Sequence, residues 1–438
     1  MEVKRMWDDG QEGEEAVAPL RMLCRQQKGK KVVRRIHSTM SGLLTFALFC
    51  SMLHPSHSEY ASEPLTKMGI NYGQVANDLP SDADAVTLIK SLGAGQVKIY
   101  NTDSGTLTAL ANTGLDVVIA VDNSLIPSLA ASASTADEWI VTNVVAYPST
   151  SITVILVGNE VFSTDPGILP QLVPAIQNLQ TSLKNHGLMS VALSTACELS
   201  ILSSSYPPSA GVFEQSAVSM LTPLLEFLDN TSSYLYINAY PYFAWASDPS
   251  GIPLDYAVFS TTSALLTDSQ YSYTNLLEAQ LDAVYYAMEA LGYKNVRIAL
   301  SESGWPTAGG TGANTTNAEA YNNNLVKFIL SGVGTPKRPQ VFVPTYVFAL
   351  FNEDLKPGAA TEQHWGLLYP NGTAVYSISL AGSSSSSGGS PGGGPSSPGG
   401  GGGGSNSNPP GSPYVCGDQA SVLPLSVTFV GMLFNLRI

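Results

Sequence analysis

Short runs rich in valine and isoleucine alternate with longer amphipathic stretches through the middle of the chain. The runs 67–71 (KMGIN), 96–100 (QVKIY), 115–121 (LDVVIAV), 152–158 (ITVILVG), 189–195 (MSVALST), 234–239 (YLYINA), 296–301 (VRIALS) and 342–348 (FVPTYVF) have the β-branched content and length of strands. Between them, 82–93, 135–147, 217–229, 274–292 and 317–331 repeat apolar residues at helical spacing. Eight strand candidates separated by helices within 66–380 predict an α/β fold of one domain, a (β/α)8 TIM barrel. The competing doubly wound sheet loses its main support, because "GINYGQVAND" after the first strand lacks the G-x-G-x-x-G of a dinucleotide turn.

Two of the apolar runs end on acids. "VILVGNEVF" passes from Val154 into Asn159 and Glu160, and "VRIALSESGWP" passes from Val296 into Ser301 and Glu302. In a parallel barrel the C-terminal strand ends form the reactive face, and the fourth and seventh strands lie nearly opposite one another around the ring. Glu160 and Glu302 are therefore expected to point into one cleft. Glycosidic bond cleavage needs this pair of groups: one acid to protonate the leaving oxygen, and one carboxylate to attack the anomeric carbon or activate water. Aromatic residues cluster near the same face: Tyr236, Tyr240, Tyr242, Phe243 and Trp245 in "YINAYPYFAW", Trp305 after Glu302, and Phe351, Trp365 and Tyr369 after the eighth strand. Flat side chains with polar tips suit the apolar C–H faces of sugar rings.

Charge and composition narrow the chemistry further. The chain has 438 residues and a formal net charge of −14. Residues 1–58 hold nine Lys/Arg against six Asp/Glu, whereas 59–438 hold eleven against twenty-eight, a balance of −17. That sign argues against nucleic acid as a partner and fits a neutral ligand. Only Cys197 of the four cysteines lies within the predicted barrel, and only His186 and His364 follow residue 58, so neither a disulfide framework nor a His- or Cys-rich metal site is expected. His186, in "KNHGL", reads as a charge at a helix C-terminus. Acid–base and covalent chemistry on carboxylates requires no metal or organic cofactor.

Both ends of the chain read as addresses. The basic stretch 29–35 precedes the apolar run 43–53, and Ser56-His57-Ser58 offers a small-x-small cleavage site, so 1–58 reads as a leader with a secretory signal peptide. Met40 as the working initiator and a long genuine leader remain equal alternatives. Residues 382–405 are purely glycine, serine and proline, and 382–413 is expected to be a disordered, flexible linker. About 25 such residues reach roughly 25–30 Å in root-mean-square terms. Residues 414–438 end in an apolar tail, Val422 to Leu436, in the order of a glycosylphosphatidylinositol attachment signal. The competing reading is a short membrane helix, for which fifteen residues interrupted by Pro424 are marginal. Asn230, Asn314 and Asn371 each open an Asn-x-Ser/Thr triplet, in keeping with glycosylation of a secreted protein. The expected location is the outer face of the plasma membrane or the cell wall. Membrane contact would come through the lipid anchor only, and the protein is expected to act as a monomer.

With these residues in view, the chain resembles the plant endo-β-1,3-glucanases of glycoside hydrolase family 17. The resemblance covers 66–380 and rests on "GINYGQVANDLPS", "VGNEV", "NAYPYFAW", "SESGWP" and "FALFNEDLKPG…TEQHWGL" in that order. It implies a (β/α)8 fold and retaining hydrolysis of β-1,3-glucan such as callose or laminarin. It also implies Glu160 as proton donor and Glu302 as nucleophile, Asn159 against the sugar, and Tyr240 orienting the nucleophile. Tyr72, Asn238 and Phe243 would line the groove, with Trp305 also counted among the substrate-binding residues. Glu353, Lys356 and Glu362 would form a charged network, with Lys356 keeping Glu302 ionised and an apolar wall keeping Glu160 protonated. The sequence departs from the family at Lys98 and Asn101, where an arginine and an aspartate are usual, and it lacks the cysteine-rich carbohydrate-binding module of many lipid-anchored members. Two other functions compete with hydrolysis: a glucan-binding protein without turnover, and a transglycosylase that passes the covalent intermediate to a second sugar.

Overall fold

The alternating runs close into a single barrel in this computed structural model, which describes residues 67–381. The readings of 1–58, 382–413 and 414–438 concern residues outside that range. Eight parallel strands form the ring: β1 Gly69–Tyr72, β2 Gln96–Ile99, β3 Asp116–Val121, β4 Ile152–Asn159, β5 Ala192–Glu198, β6 Tyr234–Asn238, β7 Arg297–Ser303 and β8 Thr345–Val347. Each pairs with its neighbours in sequence, and β1 meets β8 through Gly69↔Tyr346 and Ile70↔Val347. Gly69 permits this closure, because a Cβ there would overlap the Tyr346 ring.

The helices that follow strands one to seven are α1 Asp82–Ser91, α2 Ser104–Ala109, α3 Ala133–Ile140, α4 Leu169–Asn185, α5 Gln215–Thr231, α6 Leu276–Ala290 and α7 Thr315–Leu330. Their starts follow from local chemistry. Ser81, Asp103, Ser132, Asn275 and Asn314 each accept a first-turn backbone N–H at the N-cap of α1, α2, α3, α6 and α7. Such a cap contributes about 0.5–2 kcal/mol. His186 forms the C-cap of α4, and its Nε2 lies 2.9 Å from the Asp137 carboxylate.

Strand periodicity divides the core into two layers. Val117, Ile119 and Val121 of β3 face the helices, while Val118 and Ala120 face the lumen with Leu156, Ala196, Tyr236, Ala299 and Tyr346. The barrel centre is thus packed, and only its upper end is available for chemistry.

Two strands differ from the sequence expectation. The fifth begins at Ala192 rather than 189, because the turn after α4 uses Gly187 at φ 74° and leaves Met189 in solvent. The eighth is confined to Thr345–Val347, since Pro344 has no N–H to donate to a ladder. The stretch read as a helix over 135–147 is α3 followed by a π-helical turn, Val141–Val145. After β8 the described residues contain a short 3-10 turn, Ala360–Gln363, and isolated bridges of Leu368 to Phe351 and to Ala374.

Helix α6 carries two acids into the core, Glu278 at 7% exposure and Asp282 at 0%. Burial pushes the Asp282 carboxyl up to about 6 and that of Glu278 up to about 7, the charge of Asp282 adding to the rise at Glu278. Both folded values exceed the unfolded ones, so the folded chain holds protons that the unfolded chain releases. The stability this gives is fully present below the unfolded values and is lost as pH rises through about 6 to 7. The melting temperature is expected to fall between about pH 5 and about pH 8. Asp282→Asn should flatten that fall in a calorimetric pH series; an unchanged slope would mean that these acids do not set it.

Candidate active site

Both strands that carry the paired acids contain one residue more than their neighbours at the C-terminal end. On β7, Leu300 pairs with Ile237 and Glu302 with Asn238, so Ser301 and Glu302 stand opposite a single β6 residue. On β4 the register to β5 slips between Leu156 and Asn159. An inserted residue bends a strand and re-aims its side chains. Here it brings Ser301 and Glu302 to the same buried cation.

That cation is Lys98, fully buried on β2, whose Nζ lies 2.8 Å from Glu302 Oε1 and donates to Ser301 Oγ at 2.8 Å. Tyr100 OH donates to the same Oε1 at 2.7 Å, and Tyr240 OH donates to Oε2 at 2.8 Å. Burial alone would raise the Glu302 carboxyl, but the charge and hydrogen bond of Lys98, with Tyr100, outweigh it and hold it below its ordinary value. Burial lowers the Lys98 ammonium, with Glu302 pulling in the opposite direction.

Glu160 lies just beyond β4 with φ 51°, a left-handed conformation that costs a non-glycine residue about 1–2 kcal/mol. The surroundings enforce it. Its N–H donates to Ala196 O at 2.9 Å, and its carbonyl accepts from the N–H groups of Ser163 and Thr164, which begin a helical turn. Burial, then the negative charge of Glu302, pushes the Glu160 carboxyl up to about 7, and a hydrogen bond from Asn238 Nδ2 to Oε1 at 2.8 Å opposes the rise. Two carboxyl groups on one face are therefore displaced in opposite directions, Glu160 favouring its protonated form below about pH 7 and Glu302 its ionised form.

The other expected residues divide. Tyr240 contacts Glu302 as anticipated. Asn159 is clamped through its backbone by Asn123, and its side-chain Oδ1 is buried with no hydrogen-bond partner. Phe243 is 46% exposed, its ring backed edge-on by Tyr240 and Tyr242 and braced by Trp365, which suits a sugar face. Asn238 is 2% exposed and serves Glu160 rather than an open groove.

Tyr72 and Trp305 do not line the groove. Tyr72 has the strand parity that faces the helices, is buried, and donates to Asp82 on α1. Trp305 is 0% exposed, packed among Tyr242, Trp245 and Tyr321, with its Nε1 donating to Gly312 O. Tyr236 and Trp245 are buried as well.

In the charged network, Glu353 is buried, with Oε1 accepting from Val75 N; a side chain at Gly73 would overlap its carboxylate. Lys356 lies 3.5 Å from Glu362 and 4.1 Å from the Phe348 ring centre. The role expected of Lys356 therefore falls chiefly to Lys98, with Lys356 a weaker influence on Glu302. Asn101 donates to Gln74 Oε1. Asn230, Asn314 and Asn371 are exposed, Asn314 also serving as the α7 cap.

Sequence reading missed the roles of Lys98, Tyr100 and Asn71. Asn71 Nδ2 lies 3.2 Å from the carbonyls of Ser301, Tyr346 and Val347, and its Oδ1 lies 3.1 Å from the Tyr100 hydroxyl, as the alternative acceptor to Glu302 Oε1. The signal was available in "QVKIY": with Val97 and Ile99 facing the helices, alternation turns Lys98 and Tyr100 inward. Among the described residues, no group of three or more His, Cys, Asp or Glu is arranged to hold a metal ion.

Comparison with known proteins fits this geometry. The family model "Glycosyl hydrolases family 17" matches residues 68–380. A protein of Arabidopsis thaliana named "Probable glucan endo-1,3-beta-glucosidase A6" is 43% identical over 327 residues, covering 72% of this chain and 68% of its own length. "Glucan endo-1,3-beta-glucosidase 11" of the same plant is 42% identical over 325 residues, covering 72% and 76%. Among solved structures, CJP38, a β-1,3-glucanase and allergen of Cryptomeria japonica pollen, superposes with a TM-score of 0.70 at 42% identity, covering 72% of this chain and 99% of that one.

Proposed function

The chain belongs to glycosyl hydrolases family 17, and from that membership and its paired acids we propose that it cleaves β-1,3-glucan internally with retention of configuration. The observation that carries the mechanism is the opposite displacement of the two carboxyls on one face, Glu160 raised to about 7 and Glu302 lowered. Glu160, kept neutral by burial, gives its proton to the leaving glucosyl oxygen. Glu302, kept ionised by Lys98, attacks the anomeric carbon. Glu160 then takes a proton from the water that releases the sugar. Asn159 and the exposed face of Phe243 hold the glucan.

The pH dependence of kcat/KM follows from the same two groups. Activity requires Glu160 protonated, so it is expected to fall as pH rises through about 7. It also requires Glu302 ionised, so it falls in acid only below that group's ordinary value of 4.5. A profile that keeps rising past pH ~8 would remove Glu160 from the donor role.

The activity itself is tested by reducing-end release from linear β-1,3-glucan, with product sizes followed by chromatography. Oligomers of several lengths should appear early. Glucose alone would contradict internal cleavage, and no release from folded protein would leave a glucan-binding protein. We also place the barrel at the outer membrane face on a lipid-anchored tether, a reading supported by the order of signals in 382–438. Release from intact cells by a phosphatidylinositol-specific phospholipase is expected; retention after treatment would argue for another attachment.

A further inference from the structure

We propose that Lys98, helped by Tyr100, selects the attacking oxygen of Glu302 and drives the second half of the reaction, in which the sugar leaves the enzyme. This rests on the reading of Glu302 as nucleophile.

The selection follows from counting lone pairs. Each carboxylate oxygen offers two acceptor directions. Oε1 fills both, with Lys98 Nζ at 2.8 Å and Tyr100 OH at 2.7 Å. Oε2 accepts only from Tyr240 OH, at 2.8 Å. Oε2 therefore keeps a free lone pair and forms the bond to sugar. The single Tyr100 hydroxyl proton goes to the charged Oε1 at 2.7 Å in preference to Asn71 Oδ1 at 3.1 Å, which keeps the two oxygens unequal.

The consequence for the two steps is electrostatic. In the first, an Oε2 lone pair attacks the anomeric carbon, the bond to the leaving oxygen breaks, and that oxygen keeps the electrons and receives the Glu160 proton. The carboxylate becomes a neutral ester. Lys98 stays charged and fully buried, left with Ser301 Oγ and the ester carbonyl Oε1 as acceptors. A buried cation without its counter-charge is unfavourable, so Lys98 raises the energy of the covalent intermediate. In the second step, ionised Glu160 takes a proton from water and the water oxygen attacks the same carbon. The bond to Oε2 breaks and its electrons restore the carboxylate beside Lys98. The ammonium thus resists formation of the intermediate and favours its breakdown. Lys356, paired with Glu362, is not in hydrogen-bond contact with Glu302 and does not replace it. Lys98 acts through Glu302 and is a positioning residue.

A substrate with a leaving group that needs no proton exposes the second step. With 2,4-dinitrophenyl β-laminaribioside above pH ~9, where a buried carboxyl ionises without a neighbouring cation, Lys98→Met is expected to release a burst of about one dinitrophenolate per enzyme, followed by a steady rate at least ~10-fold below wild type at the same pH. Acid-quenched samples should carry the disaccharide on the Glu302 peptide by mass spectrometry. Lys98→Arg, which restores the charge, should reduce both burst and adduct. Linear release without adduct from folded Lys98→Met would overturn the proposal. Should Lys98→Met fail to fold, Tyr100→Phe removes a donor from Oε1 without stranding a charge. A smaller burst and adduct are then expected, and their absence overturns the proposal equally. Failure of wild-type protein to release reducing ends from linear β-1,3-glucan would instead defeat the underlying assignment of function.

Discussion

Replacing Glu302 by glutamine is expected to lower kcat/KM on linear β-1,3-glucan by about four to six orders of magnitude. Glutamine has nearly the same shape, and Tyr100 and Tyr240 can still bond to it, so the groove should survive. What disappears is the negative charge and the lone pair that forms the glycosyl bond. The variant also leaves Lys98 buried beside a neutral amide. Removing one member of a buried pair costs about 3–5 kcal/mol, so the melting temperature must be measured beside the rate. Adding Lys98→Met to Glu302→Gln removes the stranded charge and should recover part of that stability without recovering activity. Retention of more than about one per cent of activity in folded Glu302→Gln would place the nucleophile elsewhere.

Glu160→Gln is expected to lower turnover of glucan by about 10²- to 10⁴-fold, the usual contribution of a positioned general acid. The loss should depend on the leaving group. A natural glucosyl oxygen needs the proton, whereas dinitrophenolate leaves without it, so formation of the covalent intermediate from the aryl substrate should be nearly normal. The fall in activity as pH rises through about 7 should vanish with the group that causes it. A loss in the aryl burst equal to the loss in glucan turnover would show that Glu160 positions the sugar instead of protonating the leaving group.

The position of these acids was legible because a buried parallel strand has little other reason to end in a carboxylate. Valine-rich runs also fixed the barrel, since β3 and β4 read as strands from composition alone. Failures arose where one-dimensional pattern stops short of side-chain direction. Trp305 follows Glu302 in sequence, yet the bend after β7 turns it into the layer beneath α7, against Tyr321. Tyr72 differs from Asn71 by a single strand position, and that step carries it from the lumen to the helix side. Lys98 was conspicuous only as a departure from a family pattern. Its contact with Glu302 depends on the extra residue in β7, which no run of apolar letters reveals. The protonation states were half legible: an apolar wall around Glu160 was expected, but the partner holding Glu302 ionised was placed at Lys356.

A covalent intermediate through Glu302 leaves its mark on the anomeric configuration of the first-formed product, which tests it directly. Proton nuclear magnetic resonance during rapid hydrolysis of linear β-1,3-glucan should show the β-anomer of the new reducing end first, with the α-anomer growing in only by mutarotation. Initial appearance of the α-anomer would mean a single displacement by water, and would contradict both the nucleophile and the role given to Lys98.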